Sequence, residues 1–193
     1  MIAIIEACGS NFASIQFAFE RLNAKSIVTN DAEKIKSATH VVLPGVGTAQ
    51  KAMMRLKQSG LIDLIPLLTQ PVLGICVGMQ ILFDFSEEEN TTCLGIIPGR
   101  VLELPRSPQH ILPHMGWNTI QIQDDGEKNY VYFVHSYAAP VGSYTVATAN
   151  YGTEFSAIVQ NKNFYGVQFH PERSSIIGEK ILNNFLSLGE QKL

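Results

Sequence analysis

The sequence is poor in cysteine, and its few cysteines are not spaced for disulfides or for a metal. Cys8, Cys76 and Cys93 are the three cysteines among 193 residues. An odd, sparse set makes a poor disulfide framework, and the chain has no C-x-x-C pair and no Cys/His pair at zinc spacing. We therefore expect no metal site, and thiols that stay reduced and available for chemistry in a cytoplasmic setting.

Charge and long apolar runs are scarce as well. Charged residues make up 16% of the chain and the formal net charge is −3, so no basic excess suggests a nucleic-acid or anionic-membrane partner. No apolar run approaches the ~20 residues of a membrane span. Residues 1–6 also lack the basic segment that opens a secretory signal. Hydrophobic residues nevertheless make up 46%, which is enough for a sizeable core.

Short apolar runs alternate with amphipathic segments in the first half of the chain. The strands are predicted at residues 2–5, 26–28, 41–43 and 72–75. The helices are predicted at residues 11–22 with Asn11 as N-cap, at 49–58, and from about 78 to 83. This β-α-β-α order predicts an α/β fold with a mostly parallel central sheet flanked by helices.

The second half is richer in strands. Strands are predicted at residues 101–104, 118–122, 130–134, 144–149, 157–160 and 165–169. A final helix is predicted at residues 176–188, and the acidic run at 87–89 reads as a solvated loop. The later strands are expected to add antiparallel pairs to the sheet. Since no repeat or linker is visible, we expect residues 1–193 to form a single domain.

Residues 74–78 read Gly-Ile-Cys-Val-Gly and follow one of the predicted buried strands. A cysteine with small neighbours between a strand and a helix is typical of a nucleophile elbow. The tight turn would lift the Cys76 sulfur out of the sheet edge, and the following helix N-terminus would favour its thiolate. The N–H of Val77 would then be placed to bind an oxyanion. A buried structural cysteine in a glycine-rich turn is the alternative.

Residues 166–172 read Gly-Val-Gln-Phe-His-Pro-Glu, and we predict that a strand ends at His170, where Pro171 stops the ladder. A spacing of two puts His170 and Glu172 on one side of an extended segment. A nucleophilic thiol needs a base, and the base needs an acceptor on its other nitrogen. His170 and Glu172 supply both, although an ordinary surface pair is the alternative.

Residues 44–47 read Pro-Gly-Val-Gly directly after the strand predicted at 41–43. The two glycines let the backbone turn its amides toward a ligand, at the sheet edge where ligands bind, so the loop could give a second oxyanion donor. An ordinary tight turn is the alternative. Three such segments at strand ends together favour a Cys-His-Glu site. The other cysteines and histidines lack this context and are predicted to be non-catalytic: Cys8, Cys93, His40, His110, His114 and His135.

Together these segments resemble the class I, triad-type glutamine amidotransferases, whose fold is flavodoxin-like. Four stretches narrow the resemblance to the glutaminase subunits of imidazole glycerol phosphate synthase. They are residues 44–48 (PGVGT), 113–118 (PHMGWN), 132–137 (YFVHSY) and 151–155 (YGTEF). The resemblance covers nearly the whole chain. The loop at residues 6–12, EACGSNF, departs from the D-x-G-x-x-N-L pattern that is frequent in the family.

The resemblance implies a reaction that needs no cofactor. Cys76 attacks the side-chain amide of glutamine, His170 carries the proton from the thiol to the leaving ammonia, and Glu172 orients the imidazolium. Water then hydrolyses the glutamyl thioester to glutamate. The implied oxyanion donors are the amides of Val46, Gly47 and Val77. The implied glutamine contacts are Gly47, Gln80, Ser136 and Tyr137.

The resemblance also implies a heterodimer with a (β/α)8-barrel cyclase subunit that receives the ammonia and is not part of this short chain. The cyclase forms imidazole glycerol phosphate and aminoimidazole carboxamide ribonucleotide in L-histidine biosynthesis. In the family the glutaminase is nearly silent until the cyclase binds its own ligand. The implied docking residues are Asn11, Trp117, Asn118, Tyr132 and Arg173.

Several readings remain open beside this one. The glutaminase subunits of anthranilate or aminodeoxychorismate synthase lack the PHMGWN stretch. A cysteine peptidase of the same fold often has its base directly after the nucleophile, where Val77 stands here. A non-catalytic binding subunit would have lost the triad. A paralogue that feeds ammonia to a different acceptor stays possible, because the acceptor site lies in the partner.

Overall fold

The computed structural model of the protein describes residues 1–6, 12–122 and 128–189. Short 3-10 turns lie at Ile65–Leu67, Glu88–Asn90 and Pro171–Arg173. The strands and helices of these ranges are, in chain order, β1 (Ile2–Ile5), α1 (Phe12–Arg21), β2 (Ser26–Thr29), α2 (Ala32–Ser37), β3 (His40–Gly45), α3 (Ala49–Gln58), β4 (Val72–Cys76), α4 (Val77–Gln80), β5 (Phe83–Ser86), β6 (Thr91–Thr92), β7 (Ile97–Glu103), β8 (His114–Ile122), β9 (Lys128–His135), β10 (Tyr137–Ala138), β11 (Thr145–Asn150), β12 (Glu154–Asn161), β13 (Phe164–Val167) and α5 (Ser175–Ser187).

One large sheet organises the molecule, with the strand order β2-β1-β3-β4-β13-β12-β11-β8-β9. Strands β2, β1, β3, β4 and β13 pair in parallel, and the pairs beyond β13 are antiparallel. Every residue of β1, β3 and β4 is buried, as parallel strands covered on both faces require. The predicted α/β fold class, with antiparallel strands added in the C-terminal half, is confirmed.

The helices cover the sheet with their apolar faces. Ile15 and Phe19 of α1 and Leu182 and Phe185 of α5 are buried, as their helical spacing predicts. None of the helices in the described ranges is long and apolar enough to span a membrane. A second, smaller sheet has the order β10-β7-β5-β6.

The helix predicted from about residue 78 to 83 is much shorter than expected. α4 occupies only Val77–Gln80, and the chain re-enters strand β5 at Phe83. Leu82 and Phe83 are fully buried. The apolar stretch that suggested a longer helix therefore packs as a turn and the buried first residue of a strand, which periodicity alone does not separate from a helix.

Two strand ends also differ from the predicted ones. β3 continues through Pro44 to Gly45, which pairs with Cys76 of β4. The pairing of β3 with β1 ends at Val42, so the missing N–H of Pro44 interrupts no ladder on that side. β13 ends at Val167 rather than at His170. The periodicity also missed α2, a six-residue helix whose N-cap side chain, Asp31, accepts from the amides of Glu33 and Lys34.

The topology brings the chemically interesting segments together. β3, β4 and β13 are neighbours in the sheet, and their carboxyl ends lie at one edge. Residues 46–47 follow β3, Cys76 ends β4, and residues 168–172 follow β13. This edge is where ligands bind in open parallel sheets.

Candidate active site

Cys76 occupies a strained turn between β4 and α4. Its backbone has a φ of 54° and a ψ of −112°, a region that residues other than glycine rarely adopt. Such backbone strain persists only when the surroundings enforce it, and it is typical of functional sites. The predicted nucleophile elbow is thus present as a backbone conformation, although the helix behind it is a single turn.

Three glycines leave the space for this turn. A Cβ on Gly78 would overlap the carbonyl oxygen of Leu43 in β3. A Cβ on Gly74 would lie 2.6 Å from the carbonyl oxygen of Gly78, and one on Gly45 would lie 2.6 Å from the nitrogen of Gly78. The small residues around the cysteine are therefore required because α4 starts in direct contact with β3 and β4.

The sulfur of Cys76 lies between a carbonyl and an amide. As a thiol it donates toward the carbonyl oxygen of Val134 at 3.8 Å, and the side-chain amide of Gln168 donates toward the sulfur, also at 3.8 Å. Cys76 itself is only 4% exposed. Gln168 is fully buried, so its amide is a donor held beside the sulfur.

His170 and Glu172 form a buried pair at this edge. Nδ1 of His170 lies 2.9 Å from Oε1 of Glu172, and the two side chains are 6% and 7% exposed. Within the described ranges, Nε2 of His170 and Oε2 of Glu172 are buried without a hydrogen-bond partner of normal geometry. The carboxylate therefore holds one ring nitrogen and leaves Nε2 for another group.

The charge balance favours a protonated His170. Burial by itself would lower the pKa of His170, but its interactions with Cys76 and Glu172 outweigh the burial and raise the pKa from 6.5 to about 10. Cys76 thus raises the pKa of the His170 ring, although Nε2 makes no regular hydrogen bond in the described part of the chain. An imidazolium between a sulfur and a carboxylate is suited to hold a thiolate and later to give up a proton.

The backbone of His170 is fixed from two sides. Its N–H donates to the carbonyl oxygen of Tyr132 at 3.0 Å, and its carbonyl accepts from the hydroxyl of Ser174 at 2.7 Å. Pro171 opens the following 3-10 turn, which carries Glu172 back beside the ring. The short His-Pro-Glu segment therefore places both side chains without help from a regular strand or helix.

A cavity of about 270 Å³ opens in front of the sulfur. Its volume corresponds to roughly nine molecules of liquid water, which is the scale of one free amino acid. Cys76, His170 and all the residues predicted to bind glutamine or an oxyanion line it, namely Val46, Gly47, Val77, Gln80, Ser136 and Tyr137. The structure therefore brings the predicted set together at one site, with Glu172 held behind His170.

Gln80 contributes an acceptor to this cavity. Its side-chain nitrogen donates to the backbone carbonyl of Tyr137 at 2.8 Å and to Oε1 of Gln168 at 3.1 Å. Because a carbonyl only accepts, these contacts fix the orientation of the amide. Both N–H groups are committed, so the oxygen of Gln80 is what remains for a ligand, and an ammonium is the group it would suit.

Glu88 lines the same cavity, a position that the sequence did not indicate. It lies in the run 87–89 that was predicted to be a solvated loop, and this prediction is wrong for Glu88. Its Oε2 accepts from the amide of Ala49 at 2.8 Å, and Glu89 accepts from the hydroxyl of Thr48 at 3.0 Å. Burial raises the pKa of Glu88, the Ala49 amide opposes this, and Glu89 adds to the rise. These two hydrogen bonds thus fix the start of α3, directly after the 46–47 loop.

The residues predicted to dock a partner divide into two groups. Trp117 is 55% exposed and packs edge-to-face on Tyr132, at 6.0 Å between ring centroids, and the guanidinium of Arg173 lies 5.3 Å from the Tyr132 ring. Asn118 turns to the opposite face of β8 and donates to the carbonyl of Asn150 at 2.9 Å. Asn11 lies outside the described residues.

Cys93 differs from Cys76 in ways that disfavour chemistry. It is half-buried, and its thiol donates toward the carbonyl of Thr91 at 3.5 Å. Burial raises its pKa from 9.0 to about 12, with Glu88 adding to the rise and the backbone of Ser86 opposing it. Cys93 therefore stays a thiol at neutral pH, while Cys8 lies outside the described residues.

The chain is similar to known proteins over almost its whole length. The model of the family Glutamine amidotransferase class-I matches residues 3–188. The Imidazole glycerol phosphate synthase subunit HisH 2 of Legionella pneumophila is 49% identical over 195 residues, covering 97% of this chain and 98% of that protein. The Imidazole glycerol phosphate synthase subunit HisH of Pasteurella multocida is 48% identical, with 96% of each chain covered.

Solved structures share the fold at much lower identity. A crystal structure of a glutamine amidotransferase has a TM-score of 0.76 at 16% identity, with 96% of each chain covered. A glutamine amidotransferase from Thermotoga maritima has a TM-score of 0.61 at 18% identity, with 89% of this chain and 75% of that chain covered. At these identities the likeness shows the fold alone.

Proposed function

This chain belongs to the class I glutamine amidotransferases and, within them, to the HisH subunits of imidazole glycerol phosphate synthase, and from that membership we propose how its cavity hydrolyses glutamine. The chain is the glutaminase of the synthase in histidine biosynthesis, and we place its work in the cytoplasm. The observation that carries the proposal is the convergence of an elbow cysteine and a buried His-Glu pair on one cavity of amino-acid size.

The first half of the reaction makes a thioester. The sulfur of Cys76 attacks the side-chain carbonyl carbon of glutamine, and the carbonyl oxygen takes up the negative charge. His170, which holds the thiol proton, transfers it to the amide nitrogen, so that the C–N bond breaks and ammonia leaves. The raised pKa of His170 supports this order of events, because the proton already resides on the ring at neutral pH.

The second half returns the enzyme to its starting state. Neutral His170 takes a proton from water, the hydroxide attacks the thioester carbon, and the C–S bond breaks to leave the γ-carboxylic acid, which loses its proton to solvent and departs as glutamate. The proton stays on His170 and again balances the sulfur anion. Glu172 fixes the ring through Nδ1 and compensates its charge in both halves.

The oxyanion is held by backbone amides at the cavity wall. Val77 follows the nucleophile directly, and Val46 and Gly47 form the loop after β3. Gly47 has a φ of 96°, a left-handed conformation that other residues adopt only with strain. We propose that the amides of these three residues stabilise the tetrahedral intermediates, a contribution typically worth a few kcal/mol per donor.

Glutamine is recognised by its charged end as well as by its amide. Glu88 offers a carboxylate and Gln80 offers a carbonyl oxygen at the cavity wall, which suits the α-ammonium group. Ser136 and Tyr137 form another wall of the same cavity. We propose that these four residues and Gly47 select a free amino acid.

Ammonia is used by a second subunit. The relatives' names imply a synthase of more than one subunit, and we propose that the partner is a (β/α)8-barrel cyclase and that residues 1–193 act as one glutaminase domain. Exposed Trp117 and Arg173 and half-buried Tyr132 form an aromatic and cationic patch of the type that anchors interfaces. Asn11 and Asn118 stay proposed docking residues, although the side chain of Asn118 lies on the opposite face of β8 from Trp117.

The test is to mix the full chain with its candidate cyclase and measure glutamate release with and without the nucleotide substrate of the cyclase. We expect slow hydrolysis by the isolated chain and strong activation in the complex. Cys76→Ala should abolish glutamine-dependent turnover and keep ammonia-dependent synthesis. Glutamine-dependent turnover by Cys76→Ala would falsify the triad, and strong activity without a partner would contradict the activation.

A further inference from the structure

A buried line of hydrogen bonds runs from strand β8 to the wall of the glutamine cavity. The side-chain nitrogen of Asn118 lies 3.2 Å from Nε2 of His114, and Nδ1 of His114 lies 2.9 Å from Nε2 of His135. Nδ1 of His135 lies 2.9 Å from the carbonyl oxygen of Tyr137. The two histidines are 3% and 6% exposed. They belong to the PHMGWN and YFVHSY stretches and have no part in the proposed chemistry.

Two backbone carbonyls determine which atom donates and which accepts in each hydrogen bond of this line. The carbonyl of Asn150 only accepts, so the Asn118 atom 2.9 Å from it must be the NH2 group, whose second hydrogen goes to Nε2 of His114. At the other end the carbonyl of Tyr137 also only accepts, so Nδ1 of His135 carries a hydrogen. Both ends therefore assign the same tautomer, with hydrogen on Nδ1, to both rings.

Only neutral rings fit this arrangement. A hydrogen on Nε2 of His135 would meet the N–H of His114 head-on, and a hydrogen on Nε2 of His114 would meet the amide of Asn118. Burial lowers the pKa of His114 to about 4, and His110 adds to this. Burial also lowers the pKa of His135 to about 3, with the Tyr137 carbonyl opposing and with His114 and His170 adding. The electrostatics and the hydrogen-bond geometry therefore agree.

The line continues beyond Tyr137 to the nucleophile. The Tyr137 carbonyl accepts from Gln80 as well as from His135, and Gln80 donates to Gln168. Gln168 in turn donates toward the sulfur of Cys76 at 3.8 Å. The ring of His114 is stacked on Tyr151 and Phe133, with centroids 4.1 and 4.8 Å apart. Aromatic packing thus holds the middle of the line in place.

We propose that Asn118, His114 and His135 are positioning residues that fix the Ser136–Tyr137 wall of the glutamine cavity from strand β8. The inference rests on the proposed glutaminase function. His135 holds the Tyr137 carbonyl, and His114 and Asn118 hold His135 in the one tautomer that can do so. These histidines neither donate nor accept a proton in the reaction. They couple the strand that carries Trp117 to the site where glutamine binds.

The first test needs no activity. Side-chain ¹⁵N spectra of the full chain at neutral pH should show His114 and His135 as neutral rings with hydrogen on Nδ1. Neutral rings with hydrogen on Nε2, or a charged ring at either position, would overturn the proposed line of hydrogen bonds. The spectra test this line even if the chain proves unable to hydrolyse glutamine. A failure of the inference is therefore distinguishable from a failure of the proposed function.

The second test uses His114, which does not line the cavity. His114→Phe keeps the aromatic stack and removes both hydrogen bonds, and in the complex it should raise the KM for glutamine about tenfold with kcat within about twofold, as expected for one lost hydrogen bond. His114→Asn can again donate to His135 and should recover most of the KM. Tyr151→Phe keeps the stacked ring and removes only the hydrogen bond from the Tyr151 hydroxyl to the carbonyl of Ile111, so as the control it should leave both constants unchanged. An unchanged KM in His114→Phe, or equal loss in the Phe and Asn variants, overturns the proposal.

Discussion

The surroundings of three histidines near one cavity shift their pKa values in opposite directions. His170 faces a sulfur and a carboxylate, and its pKa rises to about 10. His114 and His135 are similarly buried, but their ring nitrogens meet an amide, another ring and a backbone carbonyl, and their pKa values fall to about 4 and 3. The same side chain can therefore carry a proton for chemistry in one place and serve as a neutral, directional hydrogen-bonding group in another.

Glu172→Gln tests the origin of the charge on His170. The substitution keeps a group beside Nδ1 and removes its negative charge, so the pKa of His170 should drop well below its wild-type value of about 10. Glutaminase activity should then fall by about a hundredfold or more, because the imidazolium loses its compensation. A ¹⁵N pH titration of His170 together with kcat measures both. An unchanged titration would mean that Cys76 alone raises the pKa of His170.

Glu88→Gln tests the recognition of the α-ammonium group. Losing a charge-assisted hydrogen bond of about 1.5–3 kcal/mol should raise the KM for glutamine roughly 10- to 100-fold and leave kcat nearly unchanged. Glu87→Gln is the matched control, since Glu87 accepts from the amide of Glu103 and does not line the cavity. Equal KM values for the two variants would remove Glu88 from the binding site.

At the scale of elements, the sequence predicted the strands better than the turns between them. β1 and α3 have the predicted ends because a buried apolar run and an amphipathic decamer have distinct periods. α4 was predicted too long because residues 81–83 are apolar and are used in a turn and a strand. Within segment 87–89 the prediction of a solvated loop was wrong for Glu88, because its place depends on where the second sheet meets α3, which is a tertiary contact.

Gly78→Ala tests the packing that shapes the elbow. The added Cβ would overlap the backbone of Leu43, which cannot move without shifting β3. We expect a loss of at least about 3 kcal/mol in the free energy of unfolding, measured in urea. Gly60→Ala is the matched control, because Gly60 has a φ of 68° but open space, and it should cost only about 1 kcal/mol. Similar losses in both variants would show that close packing of Gly78 against Leu43 does not shape the elbow.

At the scale of the whole molecule, the catalytic residues could be predicted because they follow adjacent parallel strands. Cys76, His170 and Gly47 each come just after or at the end of β4, β13 and β3, and each carries a local signature in the sequence. Glu88 has no such signature, and only the fold brings Glu88 to the cavity wall and the Gln168 amide to the sulfur of Cys76. The roles of the site residues stay predictions until they are measured.

Buried histidines should make the stability of the protein fall in acid. Unfolded histidines take up protons below about pH 6.5, whereas folded His114 and His135 stay neutral down to about pH 4 and 3. The free energy of unfolding should therefore decrease with falling pH by about 1.4 kcal/mol per pH unit for each ring. His114→Phe should flatten this slope in urea titrations between pH 7 and pH 5, and an equally steep slope would contradict the assignment.

His170 should act in the opposite sense. Its pKa is raised on folding, so its contribution to stability is complete below about pH 6.5. It should be lost as the pH rises toward about 10. Glu172→Gln should remove part of this alkaline dependence, because Cys76 and Glu172 both raise the pKa of His170, and should leave the decrease in stability below pH 6.5 in place. A wild-type alkaline slope in Glu172→Gln would contradict this assignment.

The central claim is that Cys76 is the nucleophile of a glutaminase, and covalent trapping tests it most directly. The full chain with its cyclase would be treated with a glutamine analogue that carries a diazoketone in place of the amide, and the adduct would be mapped by peptide mass spectrometry. We predict one adduct, on Cys76, that excess glutamine prevents, with glutaminase activity lost in proportion to labelling. Loss of activity with the adduct on Cys8 or Cys93, or with no adduct on Cys76, would contradict the account.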